Sequence, residues 1–377
     1  MQSKKCTLCK IEITDTNDTN EHILPNAIGG RKKVRGFICD SCNNSTGHIW
    51  DSKFTKQLDT LCLFFNIKRE RGSVPFQKVN TVSGDSIILH PNGQMSPKKP
   101  HFKETINEKN VEIEIKARNE QELKSILKGV KNKYPNVDVE YLLDNISYES
   151  TYLNDLLHFD FSIGGKEEGK SIVKSALAMV YNLNISTEIC NYAISYLCDN
   201  EEPCFGYYYD KDLVINRIDG IPLHIIHIHA DPKTQLILSY IEYFGCYKIL
   251  LCLGDSYSGK EIKGTYAINP VTGNDVDVNI DLSNITFQDI RDAYDYKKIP
   301  QGSIEKCINL VIGKRIKEMH ENEQSRVIKS SVQKGFENCG ATYGEILNEE
   351  HINKLNETVY NEMLPYLLHI STKDKKY

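Results

Sequence analysis

Period-two alternation and helical spacing divide most of the chain beyond residue 72 into short elements. Val111 to Ala117 (VEIEIKA) alternates strictly between apolar and polar positions, which predicts a strand. Asn119 to Lys133 carries apolar residues at helical spacing and Val137 to Tyr141 alternates again, so the stretch reads as a β-α-β unit. SGDSIILHPNG predicts a strand closing on a turn at Asn92-Gly93. Lys170 to Leu183 (KSIVKSALAMVYNL) and Ile189 to Cys198 predict helices. Ile221 to Ala230, LILSYIEYFG and CYKILLCLG read as adjacent strands, the last two forming a hairpin that turns at Gly245. From Ser303 the tail is helical, with a final segment ending near Pro365. The expected class is α+β. A head of residues 1–72 precedes an α+β body of residues 73–300 and a helical segment of residues 301–377.

Composition narrows this picture only slightly. Of 377 residues, 40% are hydrophobic and 26% charged, which excludes wholesale disorder. No apolar run approaches the ~20 residues that span a bilayer, and MQSKKCTLCK lacks an apolar signal core. A cytoplasmic location with no membrane partner is expected. The net charge of −5 advertises no polyanion partner, but it is an average. Residues 1–72 hold 12 Lys and Arg against 8 Asp and Glu, a net +4, while the rest hold 34 against 43, a net −9. Arg31, Lys32, Lys33 and Arg35 concentrate the head's positive charge and are its candidate phosphate contacts.

Twelve cysteines change the picture more. Cys6 and Cys9 form one Cys-x-x-Cys pair, and Cys39 and Cys42 form a second. Each pair sets two thiolates on one tight turn, and two such turns make a tetrahedral S4 zinc site. The other eight are isolated, several in apolar runs, and are expected to pack as small hydrophobes.

Between the pairs lies Glu21-His22-Ile23-Leu24-Pro25, then Gly29-Gly30; directly after the second pair comes Cys42-Asn43-Asn44. In this order the motifs resemble the HNH endonucleases of the His-Me finger class, in particular their zinc-knuckle branch with Glu before the histidine. The resemblance spans residues 6–51, about an eighth of the chain. It implies a zinc-stabilised ββα-metal domain that hydrolyses phosphodiester bonds around one divalent ion. His22, with an unperturbed pKa near ~6.5, is the expected base. Glu21 would point to the opposite strand face and reach a metal. A carboxylate with an amide oxygen suits Mg²⁺. By register with the family, Asn43 is the second ligand. His48 is its rival, since Asn44 and His48 share a helix face. Asp51 either orients a motif side chain or bonds the backbone. The family's middle asparagine has no counterpart between Arg31 and Ile38, and Asn26 is the candidate replacement.

Two function classes follow. The first is an HNH-type endonuclease acting on DNA, with RNA as the other substrate candidate. Standalone nucleases with an appended body resemble bacterial or phage-borne defence and mobile-element effectors. The second class is a catalytically inactive zinc knuckle that binds nucleic acid or protein. Residues 73–377 would then recognise a target, a partner protein or a second copy. LHIIHIH puts His227 and His229 on one strand face without a ligand-spaced partner, so sheet packing is expected there.

Overall fold

The computed structural model describes residues 4–91, 93–107, 111–147, 151–159, 161–200 and 202–373, and side chains as far as residue 371. Asn92 of the expected turn lies outside them. The chain divides into two compact units that interleave in sequence. One comprises residues 1–76, 91–93 and 160–317, and the other residues 77–90, 94–159 and 318–377. The head and the body's main sheet thus share the first unit.

In that unit the head begins with an antiparallel hairpin of β1 (Asp18–His22) and β2 (Lys33–Cys39). The ladder shifts between Asp18 and Asn20, where Gly36 takes a φ of +78° and donates its N–H to the Asp18 carboxylate at 2.8 Å. Two glycines close the loop between the strands. Gly29 has φ +97°, and a Cβ on Gly30 would stand 2.0 Å from the Leu24 carbonyl oxygen. Helix α1 (Asp40–Thr46) then passes through a wide π turn at Gly47–Asp51 into α2 (Ser52–Gln57), and α3 (Asp59–Phe64) follows.

The body of the unit starts with α4 (Lys166–Asn182), in which every residue from Gly169 to Val180 is buried. A helix buried on all sides must be covered all round. Here β1, β2, the π turn and α2 lie against it, as does the main sheet. After α5 (Asn191–Leu197) come β3 (Phe205–Tyr207), β4 (His224–Asp231), β5 (Leu236–Tyr243), β6 (Tyr247–Gly254), β7 (Ile262–Asn269) and β8 (Asn274–Asp275). They form an antiparallel sheet in the order β8-β7-β4-β5-β6-β3. The β5–β6 hairpin turns where expected. Phe244 and Gly245 both take positive φ, +55° and +68°, as a type I′ turn demands. One sheet face packs Ile225, Leu238, Tyr240 and Leu250 under residues 278–293, where α6 (Phe287–Tyr294) lies. The opposite face receives the head: Phe54 meets Tyr243 at 4.9 Å between ring centroids, and Phe65 stacks on Phe244 at 5.7 Å.

His224 joins head and sheet. Its Nδ1 accepts the Phe244 N–H at 3.1 Å, so its Nε2 carries the proton and donates to the Ile28 carbonyl at 2.8 Å. Burial holds His224 and His227 down at about 4, whereas an unfolded histidine titrates near 6.5. A lowered folded-state pKa means that protons favour the unfolded chain. Their contribution is complete above pH 6.5 and is lost as pH falls towards 4. Unfolding free energies from urea titrations at pH 7 and pH 5 should therefore differ by ~2 kcal/mol per histidine, with a lower midpoint at pH 5. Equal midpoints would show that neither ring is buried neutral.

The second unit holds a four-stranded sheet in the order Met95–Pro97, Ser86–Leu89, Gln77–Thr81 and Leu157–His158, and a separate hairpin of His101–Ile106 with Val111–Lys116. Asn119 caps the helix Glu120–Lys133, as helical spacing predicts. The expected strand at Val137 to Tyr141 is instead helix Val139–Asp144. The Asp138 carboxylate caps it by accepting the Tyr141 N–H, and this cap overrides so short an alternation. Helix α7 (Ser303–Asn338) is shared in sequence between the units. The last helix, Glu349–Lys373, runs beyond Pro365 instead of ending near it. Among the described residues no helix is long and apolar enough to cross a membrane.

Candidate active site and zinc-binding knuckles

Both knuckles follow from local backbone. Cys6 and Cys9 flank a turn in which the Cys6 N–H donates to the Ile11 carbonyl at 2.8 Å and the Lys10 N–H to the Cys6 carbonyl at 3.0 Å. Cys39 ends β2 and precedes α1, and Cys42 stands in the first turn of that helix. The four Sγ atoms lie within 4.8 Å of one another, with Cys9 and Cys39 at 3.6 Å. Tetrahedral zinc with Zn–S bonds of ~2.3 Å separates its sulfurs by ~3.8 Å, so the donor set fits that ion. Burial opposes ionisation of Cys6, yet the N–H groups of Cys9, Cys39 and Leu8 outweigh it and bring the thiol to about 7. Burial pushes Cys39 and Cys42 up. Four thiolates in this space require a cation. All twelve cysteines are free of disulfides; of the isolated eight, six are buried, Cys307 is half-buried and Cys198 exposed.

The hairpin separates its two signature residues as strand alternation demands. Glu21 faces inward and is only 6% exposed. Its Oε1 meets Lys174 Nζ of α4 at 2.7 Å, and the same ammonium meets Asp51 Oδ2 at 2.5 Å. Burial raises the Glu21 pKa, Lys174 opposes that rise, and Asp51 adds to it. For Lys174 burial works against the charge, and Asp51 and Glu21 together outweigh burial to hold its pKa above the usual lysine value. Asp51 therefore bonds neither a motif side chain nor its own backbone but α4, where Ser171 Oγ also donates to it at 2.6 Å.

His22 opens on the other face. Its Nε2 lies 3.3 Å from Glu70 Oε2, and Lys33 Nζ meets the same oxygen at 2.7 Å. Asn26 supports this contact by accepting the Glu70 N–H at 3.0 Å through Oδ1. Burial lowers the His22 pKa, Glu70 opposes that, and Lys33 and Arg71 add to the lowering. Lys33 holds the Glu70 carboxyl below its usual range, so Glu70 is an ionised acceptor. The ring proton therefore sits on Nε2, and Nδ1 is the free base.

The remaining candidates are distributed around these two faces. Asn43 donates from its side-chain amide to the Thr19 hydroxyl. His48 is exposed in the π turn, and its carbonyl accepts from Ser52. Arg31 donates through Nη2 to the Lys68 carbonyl at 3.0 Å, and the Arg31 and Lys32 N–H groups both bond the Tyr266 hydroxyl at 3.1 Å. Lys32 Nζ sits 5.6 Å from the centre of the Tyr266 ring, and Arg35 pairs with Asp18 at 3.2 Å. Lys33 and Arg35 are exposed, while Arg31 and Lys32 are half-buried. His227 bonds Thr265 and His229 bonds Glu261, at 2.8 and 3.0 Å.

Sequence reasoning missed Glu70, Lys174, Ser171 and Tyr266. Lys170 and Lys174, four apart in a helix of otherwise apolar and small residues, were the available signal for α4: charges there need buried partners. Glu70 acts 48 residues from His22, in a charged run that looks like any solvated loop.

Residues 6–59 match the HNH endonuclease family. No curated protein and no solved structure matches the chain.

Proposed function

We propose that the head, an HNH endonuclease segment by its family match, hydrolyses DNA phosphodiester bonds with His22 as the general base. The observation that carries this reading is the half-buried His22 ring, whose Nε2–H is held by Glu70 so that Nδ1 is the basic nitrogen, with Lys33 and Arg71 adding positive charge. Nδ1 takes a proton from water as that water attacks phosphorus and the P–O bond to one sugar oxygen breaks, that oxygen taking a proton from solvent water. Nε2–H donation to Glu70 steadies the imidazolium that forms. Lys33 and Arg35 supply charge for phosphate oxygens. Glu21 does not fit the expected Mg²⁺ pair as it stands, being bound to a buried ammonium, whereas Asn43 donates to Thr19 through its amide nitrogen and keeps its oxygen; no step is assigned to an ion there. A defence or mobile-element role is consistent with a standalone nuclease head on an unrelated body, and rests on family analogy alone.

Supercoiled plasmid incubated with wild-type protein and with His22→Ala, each with Mg²⁺ and with chelator, tests the proposal. Cleavage by the wild type and its loss in the variant are expected; equal rates would remove His22 from the chemistry. The commitment of Glu21 to Lys174 favours one second reading, a non-catalytic knuckle that docks nucleic acid. Intact plasmid in every arm together with salt-sensitive DNA binding would decide for it.

Glu70 acts here as a positioning residue. Glu70→Gln removes the charge that supports protonated His22, so the acid limb of the pH–rate profile should move to lower pH. The plateau rate should fall as the imidazolium formed in the step loses its counter-charge, although the Gln oxygen still accepts the ring N–H. A variant with the wild-type profile would show that Glu70 does not act on His22.

A further inference from the structure

The inward face of the hairpin carries a second arrangement that hydrolysis by His22 does not use. Lys174 Nζ stands 2.7 Å from Glu21 Oε1, 2.5 Å from Asp51 Oδ2 and 3.4 Å from Thr46 Oγ1. An ammonium has three N–H donors, and here three oxygens face it. Only 2% of Lys174 is exposed, and the pair it serves comes from β1 and from the turn after α1. The neighbouring lysine is engaged elsewhere. Lys170 meets Asp199 at 2.7 Å and lies 5.4 Å from the centre of the Trp50 ring.

We infer that Lys174 is the resident cation of the Glu21–Asp51 pair, bridging the two carboxylates where a divalent ion would otherwise sit. A buried carboxylate, Glu21, brought beside the half-buried Asp51 needs a counter-charge, and a lysine from α4 provides it without an exchangeable ligand. Mg²⁺ enters a site with several of its waters and demands near-octahedral geometry. Here Glu21 Oε1 and Asp51 Oδ2 already turn to one ammonium and Asp51 Oδ1 accepts from Ser171 Oγ, so three of the four carboxylate oxygens are engaged. Lys174 lies outside the family-matched residues 6–59, so this cation is a property of the whole first unit.

Mn²⁺ binding to the zinc-loaded, full-length protein, followed by electron paramagnetic resonance, tests this without reading cleavage. Its failure is thus distinguishable from failure of the nuclease reading. Wild type and Glu21→Gln should take up Mn²⁺ alike. Lys174→Met should gain one Mn²⁺ site and lose it again when Asp51→Asn is added. A wild-type Mn²⁺ site that Glu21→Gln abolishes would overturn the inference, as would a folded Lys174→Met that binds no more Mn²⁺ than the wild type. Should Lys174→Met not fold, amine labelling of the wild type read by mass spectrometry decides. Equal protection of Lys174 with and without Mg²⁺ supports the ammonium as resident, and labelling that appears only with Mg²⁺ overturns it.

Discussion

Stripping zinc from the protein will unfold the hairpin and both knuckles, with loss of amide protection from Cys6 through Cys42. Structural zinc contributes an apparent ~10–16 kcal/mol in small knuckle domains, more than such a head can replace. Ile23, Leu24, Ile28, Val34, Phe37 and Ile38 are among its buried apolar side chains in that stretch, each adding ~1.5–3 kcal/mol at most. The segment beyond Cys42 should respond less, because Phe54 and Phe65 are held by Tyr243 and Phe244 of the sheet. Without metal, the Cys6 thiol is drawn down to about 7 while Cys39 and Cys42 are pushed up, so zinc uptake must release protons. Metal affinity will therefore fall steeply on acidification. Hydrogen exchange before and after chelation, at constant pH, reads the effect. Unchanged protection in the metal-free protein would refute the zinc assignment.

His22→Ala should lower the rate of phosphodiester cleavage by ~10²–10⁴ while leaving DNA affinity nearly intact. In the proposed roles the ring takes a proton while phosphate falls to Lys33 and Arg35, both of them exposed. Burial lowers the His22 pKa, so the neutral base prevails at pH 7 and the acid limb of the profile lies below 6.5. Acid should thus abolish activity through the same group that the substitution removes. A residual profile in His22→Ala with the wild-type acid limb would place the titrating base elsewhere. Binding measured alongside cleavage separates loss of chemistry from loss of substrate.

Much of this was legible in the residues because the signals were local. The two Cys-x-x-Cys pairs foretold four sulfurs in one place, and the Glu21-His22 dipeptide foretold two faces of one strand. The β5–β6 hairpin was readable since Phe244-Gly245 sits between two apolar runs. What escaped was set by distance along the chain or by competition between local rules. Alternation at Val137 to Tyr141 yielded to the cap offered by Asp138. The partner of Glu21 lies 153 positions away on α4, and a strand position says which way a carboxylate points but not what awaits it. Asn26, suspected as the brace of the loop, accepts the Glu70 backbone N–H.

The burial of α4 between head and sheet bears on how such a chain is inherited. A crossover that replaced residues 1–76 but kept the old body, or the reverse, would separate Glu21 and Asp51 from the ammonium between them unless both parents carried the same solution. Head and helix are therefore expected to descend together, changing by paired substitution at Glu21, Asp51 and Lys174.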